Sequence, residues 1–261
     1  MQVLITNDDG IDSPGLAALA AVARDAGHDV LVAAPSREFS GASAAITGVE
    51  RDGRILTELR DLPDLPGVPA VSVAASPAFI VLIALAGGIG PEPDLVLSGI
   101  NYGVNAGRAV THSGTVGAAL TAALGGRRAA AFSIGHSVRR PDNPTWPTAT
   151  AVVAQLLPAI CALPEGVLLN VNVPDVPYGE LKGIRRTSLA SFGAVQFIVA
   201  ERAEGFLRMS LEDNTAALEE GTDEYWLARH HVTVTPIRPA AEATDIDVPL
   251  DELSEYAGPQ S

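Results

Sequence analysis

Cysteine is almost absent: Cys161 is the single one in 261 residues. That excludes an intramolecular disulfide and any cysteine-based metal cluster. Its place in the apolar run AVVAQLLPAICALP marks it as a buried structural thiol. Lysine is nearly absent too, Lys182 being the only one. With 17 Lys and Arg against 31 Asp and Glu, the net charge is −14. Binding to a nucleic-acid duplex is therefore not expected, because it needs cationic surface. A small anionic ligand is admissible where a metal or backbone amides neutralise it locally. Aromatic residues make up only 5% of the chain, so small and branched aliphatics must fill its core. No apolar run approaches the roughly 18 residues of a membrane span. No basic segment precedes an apolar stretch at the N-terminus, so neither a membrane partner nor a signal peptide is expected. A cytoplasmic location is the default.

What the chain does have is an alternation of short apolar runs and helical patterns. QVLIT, HDVLVAAP, VPAVSVA, PDLVLSG, AAAFSIG and GVLLNVNVP read as six strands. Between them, SPGLAALAAVARDAG, SPAFIVLIALAGG, SGTVGAALTAALGG and WPTATAVVAQLLPAICAL read as helices. The first helix has Ser13 as cap, Pro14 in its first turn and Gly27 as its stop. Strands that are apolar throughout are buried on both faces, so this alternation predicts an α/β fold with a doubly wound, mostly parallel sheet. Residues 44–66 read as a hairpin and loop insertion in a core spanning 1–174. After Pro174 the helical signal fades, and 175–239 reads as a β-rich arm or subdomain with HHVTVTPIRP as a strand. From 240 to 261 the chain is acidic and is expected to be loosely ordered.

Ligands of open parallel sheets bind at the carboxyl ends of the strands. After the first strand come Asn7, Asp8, Asp9 and Gly10; after the second, Ser40; after the fourth, Asn101 and Asn105. Asp8, Asp9, Ser40 and Asn101 together offer hard oxygen donors suited to Mg²⁺ or Mn²⁺, with Ca²⁺ also admissible. Taken alone, NDDG reads more simply as an Asx turn with solvated carboxylates. The buried strand before it and the polar loops after other strands favour the metal site. Ser113 and Thr115 can cap the helix that follows, and Gly114 lets its backbone approach a ligand, which makes this turn a candidate phosphate cradle. The same turn also fits an ordinary capped helix. His112 precedes it and is a possible general acid or a polar rim residue. Adjacent His230 and His231 point to opposite faces of a strand, which disfavours a shared metal. His28 and His136 carry no functional signal.

In order along the chain, ITNDDGIDSPGLAALA, AAPSREFSGA, LVLSGINYGVNAG, HSGTVGAALTAAL and LLNVNVP resemble the motifs of the SurE (survival protein E) family of metal-dependent nucleotidases. The resemblance covers about the first two thirds of the chain, and the later GTDEYWLARHHVTVTPIRP resembles the family's closing strand more loosely. It implies a Rossmann-like fold with a C-terminal arm exchanged between subunits of a homodimer or homotetramer. It also implies release of phosphate from nucleoside 5′- or 3′-monophosphates. By motif, Asp8, Asp9, Ser40 and Asn101 would be metal ligands, and Asn105, Ser113, Gly114 and Thr115 would lie at the phosphate. Four positions depart from the family pattern: Phe39 for a usual Gln, Ala44 for a common His, His112 for a Tyr and Thr121 for a Glu.

Phosphate ester hydrolysis needs charge neutralised on the phosphoryl oxygens and a water set for in-line attack. Asp8 or Asp9 is expected to accept the proton of that water. Two other readings compete. The four departures fit a catalytically weakened protein that binds nucleotide or metal. A nucleoside hydrolase also places acidic residues after its first strand, but NDDGIDSPG adds only Asp12 to the pair, and such an enzyme has no use for a phosphate turn.

Overall fold

The computed structural model describes residues 1–135, 144–191, 195–203, 205–213, 218–243 and 245–246. His136 and the acidic stretch from 247 onward lie outside the described residues. In chain order the elements are β1 (Gln2–Thr6), α1 (Pro14–Asp25), β2 (Asp29–Pro35), β3 (Glu50–Arg51), β4 (Arg54–Ile55), β5 (Thr57–Arg60), β6 (Ala70–Val73), α2 (Pro77–Leu85), β7 (Leu95–Tyr102), α3 (Gly114–Leu124), β8 (Arg128–Ile134), α4 (Trp146–Cys161), β9 (Leu168–Val173), β10 (Ile184–Arg186), β11 (Val195–Ala203), β12 (Phe206–Asp213), α5 (Asp223–Leu227) and β13 (Val232–Ile237). A 3-10 segment, Gly107–His112, leads into α3.

Nine strands form one sheet in the order β10-β13-β9-β8-β7-β1-β2-β6-β5. From β6 to β9 every neighbouring pair is parallel. Those six strands are the apolar runs of the sequence, and their order reverses between β1 and β7. Parallel strands are solvated on neither face, which is why Leu95–Ile100 and Leu168–Val173 are buried without interruption. Helices α1 and α4 cover one face through Leu16, Leu19, Val152 and Val153. Helices α2 and α3 cover the other through Ile80, Val81, Ala118 and Ala122. Alanine side chains let α3 approach closely, and among the described residues Phe132 is the bulkiest fully buried side chain.

The insertion at 44–66 divides. Glu50–Arg51 and Arg54–Ile55 make a small hairpin, while β5 joins the main sheet as an antiparallel edge strand beside β6. The stretch after Pro174 divides as well. β13 pairs antiparallel with β9, β10 pairs parallel with β13, and β11 and β12 form a separate two-stranded sheet. Cys161 is half-buried, not enclosed, with its sulfur 3.8 Å from His28 Nε2. Partial burial raises the thiol and lowers the imidazole from their ordinary values, so neither group is activated as an ion pair.

Candidate functional site

The order reversal places the ends of β1 and β7 side by side, the crevice where open α/β sheets take ligands. Thr6 is in register with Ser98, so Asp8 and Asn101 both lie just beyond that row on adjacent strands. Asn7 is fully buried and makes the turn itself: Gly10 N–H donates to its Oδ1 at 3.1 Å, and its Nδ2 donates to Gly10 O at 3.0 Å. The Asx turn expected for NDDG thus exists, but Asn7 supplies it, and the two aspartates are left for other work.

Asp8 is 5% exposed. The Thr115 hydroxyl donates to its Oδ1 at 2.6 Å, and Thr115 is therefore not the helix cap that its position suggested. Ser113 caps α3, accepting from Val116 N–H at 3.1 Å. Burial pushes the Asp8 carboxyl above its ordinary range, opposed by the Thr115 hydroxyl and backbone amides and reinforced by the Glu38 charge. Gly114 is required for this contact. A Cβ there would lie 2.8 Å from both Cβ and Oδ2 of Asp8. The first turn of α3, with its partial positive charge, is thus seated against a buried carboxylate.

Asp9 is half-buried beside it. Phe39 N–H donates to Asp8 O at 2.8 Å, which brings the Ser40 loop to the same crevice. Ser40 Oγ donates to Glu38 Oε1 at 2.5 Å. Asn101 Nδ2 is committed to Gly103 O at 2.6 Å, so its oxygen is the atom able to ligate a cation. The donor set is two carboxylates, a hydroxyl and an amide oxygen. Those hard donors fit a hard divalent cation, which would also compensate the buried Asp8 charge.

Asn105 is held rather than mobile. Its N–H donates to Asn172 Oδ1 at 2.8 Å, its Nδ2 to Ser133 Oγ at 2.8 Å, and its carbonyl accepts from Asn170 and Asn172. His112 is exposed, and its carbonyl accepts from Ser43 N–H at 3.2 Å. Of the other departures, Phe39 lies under the Arg37 guanidinium, Ala44 is exposed, and Thr121 turns its hydroxyl to Gly117 O. His231 is tucked edge-on against Trp226.

Sequence reasoning missed Glu38, Ser133, Asn170, Asn172 and Asp223. Glu38 lies inside the REFSG motif and could have been noticed there. The two asparagines alternate in LLNVNV on a strand read only as apolar.

Glu224, 8% exposed on α5, is pushed up to about 7 from 4.5 by burial, then by the charges of Asp223 and Glu219. The native state therefore keeps a proton that the unfolded chain releases, and this contribution to stability is lost as pH rises from 4.5 through 7. Glu224→Gln is expected to match the parent in denaturant unfolding at pH 4 and to exceed it by about 2 kcal/mol at pH 8. Equal differences at the two pH values would contradict this.

Among the described residues, no helix is long and apolar enough to cross a membrane. The family model described as Survival protein SurE matches residues 3–194. Three proteins named 5′-nucleotidase SurE are similar over most of their length. The Stenotrophomonas maltophilia (strain K279a) protein is 36% identical, covering 91% of this chain and 90% of its own. The Actinobacillus pleuropneumoniae serotype 5b (strain L20) protein is 38% identical, with 91% and 94% covered. The Marinomonas sp. (strain MWYL1) protein is 36% identical, with 98% of both covered. The crystal structure of the SurE protein from Aquifex aeolicus superimposes with a TM-score of 0.80 at 29% identity, covering 98% of this chain and 100% of that one. On its ordered motifs, its strand order and these similarities, the chain belongs to the SurE family.

Proposed function

We propose that the protein is a divalent-metal-dependent phosphomonoesterase that releases phosphate from nucleoside 5′- or 3′-monophosphates. The observation that carries this reading is Asp8: a carboxylate enclosed at the β1/β7 crevice and gripped by the first turn of α3. Similarity to proteins named 5′-nucleotidase supports the substrate class. Asp8, Asp9, Ser40 and Asn101 would hold Mg²⁺ or Mn²⁺. Once bound, the cation would neutralise phosphoryl charge and lower the pKa of a water.

The chain's own groups do the rest. Thr115 and the α3 terminus hold Asp8 in place. The Ser113–Gly114–Thr115 turn offers partial positive charge to the phosphate, with Asn105 beside it on a backbone fixed to β9. Asp9, less enclosed than Asp8, would accept the proton of the attacking water. The same reading takes the β11–β12 hairpin, with Val199, Phe206 and Leu207 exposed, as the part that joins two or four copies.

The test is phosphate release from 5′-AMP, 3′-AMP and GMP with Mg²⁺, with Mn²⁺ and with chelator. Metal-dependent release is expected. Release of free ribose, or metal and nucleotide binding without release, would overturn the assignment.

A further inference from the structure

We infer that Asp223, far from the candidate ligands in sequence, is a positioning residue that fixes the Gly107–Thr115 segment and through it the grip on Asp8. Its effect on turnover rests on the phosphomonoesterase reading; its effect on the segment does not. The family match ends at residue 194 and assigns nothing to this position.

Asp223 is fully buried at the start of α5. Its Oδ2 accepts from Gly107 N–H at 2.8 Å, across 116 residues of sequence. Its Oδ1 accepts from Ala190 N–H and from Glu224 N–H, each at 3.0 Å. Neighbouring bonds close the same junction: Arg108 N–H donates to Ala190 O at 3.1 Å, and Asp223 N–H to Ser188 O at 2.9 Å. One carboxylate thus ties together the start of the 3-10 segment, the 188–190 stretch and α5. Burying it is costly, and burial raises its pKa while the amides oppose that shift. Such a group is retained where it satisfies backbone donors that nothing else reaches.

The tied segment is short and already constrained elsewhere. Two residues before Gly107, Asn105 is held by β8 and β9 side chains. Near its other end, Ser43 donates to Thr111 O at 2.6 Å and to His112 O at 3.2 Å. Gly114 and Thr115 follow directly and contact Asp8. Releasing Gly107 lets the turn shift, and the Thr115–Asp8 contact lies within eight residues of the released point.

Asp223→Asn keeps the shape and the Oδ1 acceptor but sets an NH₂ group against Gly107 N–H. The control is Leu227→Ala, which removes a buried apolar side chain from the same helix and leaves the Asp223 carboxylate and its Gly107 bond in place. Three quantities are read in both variants and the parent: hydrogen exchange of residues 107–115, Mn²⁺ affinity by calorimetry, and kcat and KM for phosphate release from AMP. Asp223→Asn is expected to speed exchange in 107–115 and to lower kcat about tenfold, the scale of losing an orienting partner. Leu227→Ala, with an equal or larger drop in Tm, is expected to leave kcat within about twofold. Parallel loss of kcat and Tm in the two variants, or unchanged exchange in Asp223→Asn, would overturn the inference. If Asp223→Asn does not fold, the parent decides: a Gly107 amide that exchanges as fast as an exposed loop overturns it, and a protected one supports it. A parent without phosphatase activity would remove the nucleotidase reading, while the exchange data still decide the role of Asp223.

Discussion

Asp8→Asn is expected to cut phosphate release by orders of magnitude and to leave a folded protein that, in metal-free buffer at neutral pH, is more stable than the parent. The two effects have one cause. The parent encloses a carboxylate whose burial disfavours the charged form, with only the Thr115 hydroxyl and backbone amides to compensate it. Asparagine keeps an oxygen for Thr115 and loses the charge. The stability gain should be about 1–3 kcal/mol, the cost of burying an incompletely compensated polar group. Its sign follows from linkage: a raised folded-state pKa means that native stability falls as pH rises through that pKa, so the gain shrinks towards acid pH. Activity should fall by at least about 10²–10³, the scale of losing a preorganised charge at a reacting centre. Mg²⁺ or Mn²⁺ should reverse the stability order, because only the parent gains binding energy from the ion. Thermal unfolding with and without metal, beside the phosphate assay, measures all three. Turnover within tenfold of the parent would remove Asp8 from the mechanism.

Gly15→Ala is expected to be severely damaging although Gly15 lies outside the ligand set. Gly15 is buried in the first turn of α1, and a Cβ there would stand 2.1 Å from Ile100 O and 3.1 Å from the Trp146 ring. The nearest atom is backbone, so no side-chain rotation relieves the clash. Alanine favours a helix interior by up to about 1 kcal/mol over glycine, so helix propensity alone predicts stabilisation. Overpacking against backbone opposes it and should win, with a net loss of about 3 kcal/mol. For a chain of this size that is a drop of roughly 6–12 °C in Tm. Ile100 directly precedes Asn101, so residual folded protein should also release phosphate more slowly. An unchanged or raised Tm would show that α1 can withdraw from β7 without cost.

The two substitutions probe different kinds of information in the chain. The six parallel strands and four long helices were legible because each is written locally, in unbroken Val, Ile, Leu and Ala runs and in Ser-Pro starts and glycine stops. The candidate donors were legible because strand ends carry function in this architecture, so residues following apolar runs could be collected before any contact was known. Sheet membership was not: the HHVTVTPIRP strand reads the same whether it lies in an arm or pairs with β9, because its hydrogen-bond partner is set by the whole fold.

Residue roles within the site divided in the same way. NDDG announced a polar strand end, but which residue makes the turn and which is enclosed depends on what packs above it. Thr115 looked like a cap until α3 was placed on Asp8, a contact spanning 107 residues of sequence. The role of Asp223 could not be read, since its partners at Gly107 and Ala190 are backbone amides, which no side-chain pattern records. Local periodicity and turn chemistry depend on neighbours in sequence and can be read from them. Enclosure, close approach and backbone anchoring depend on neighbours in space, and here only the packed sheet and its covering helices decided them.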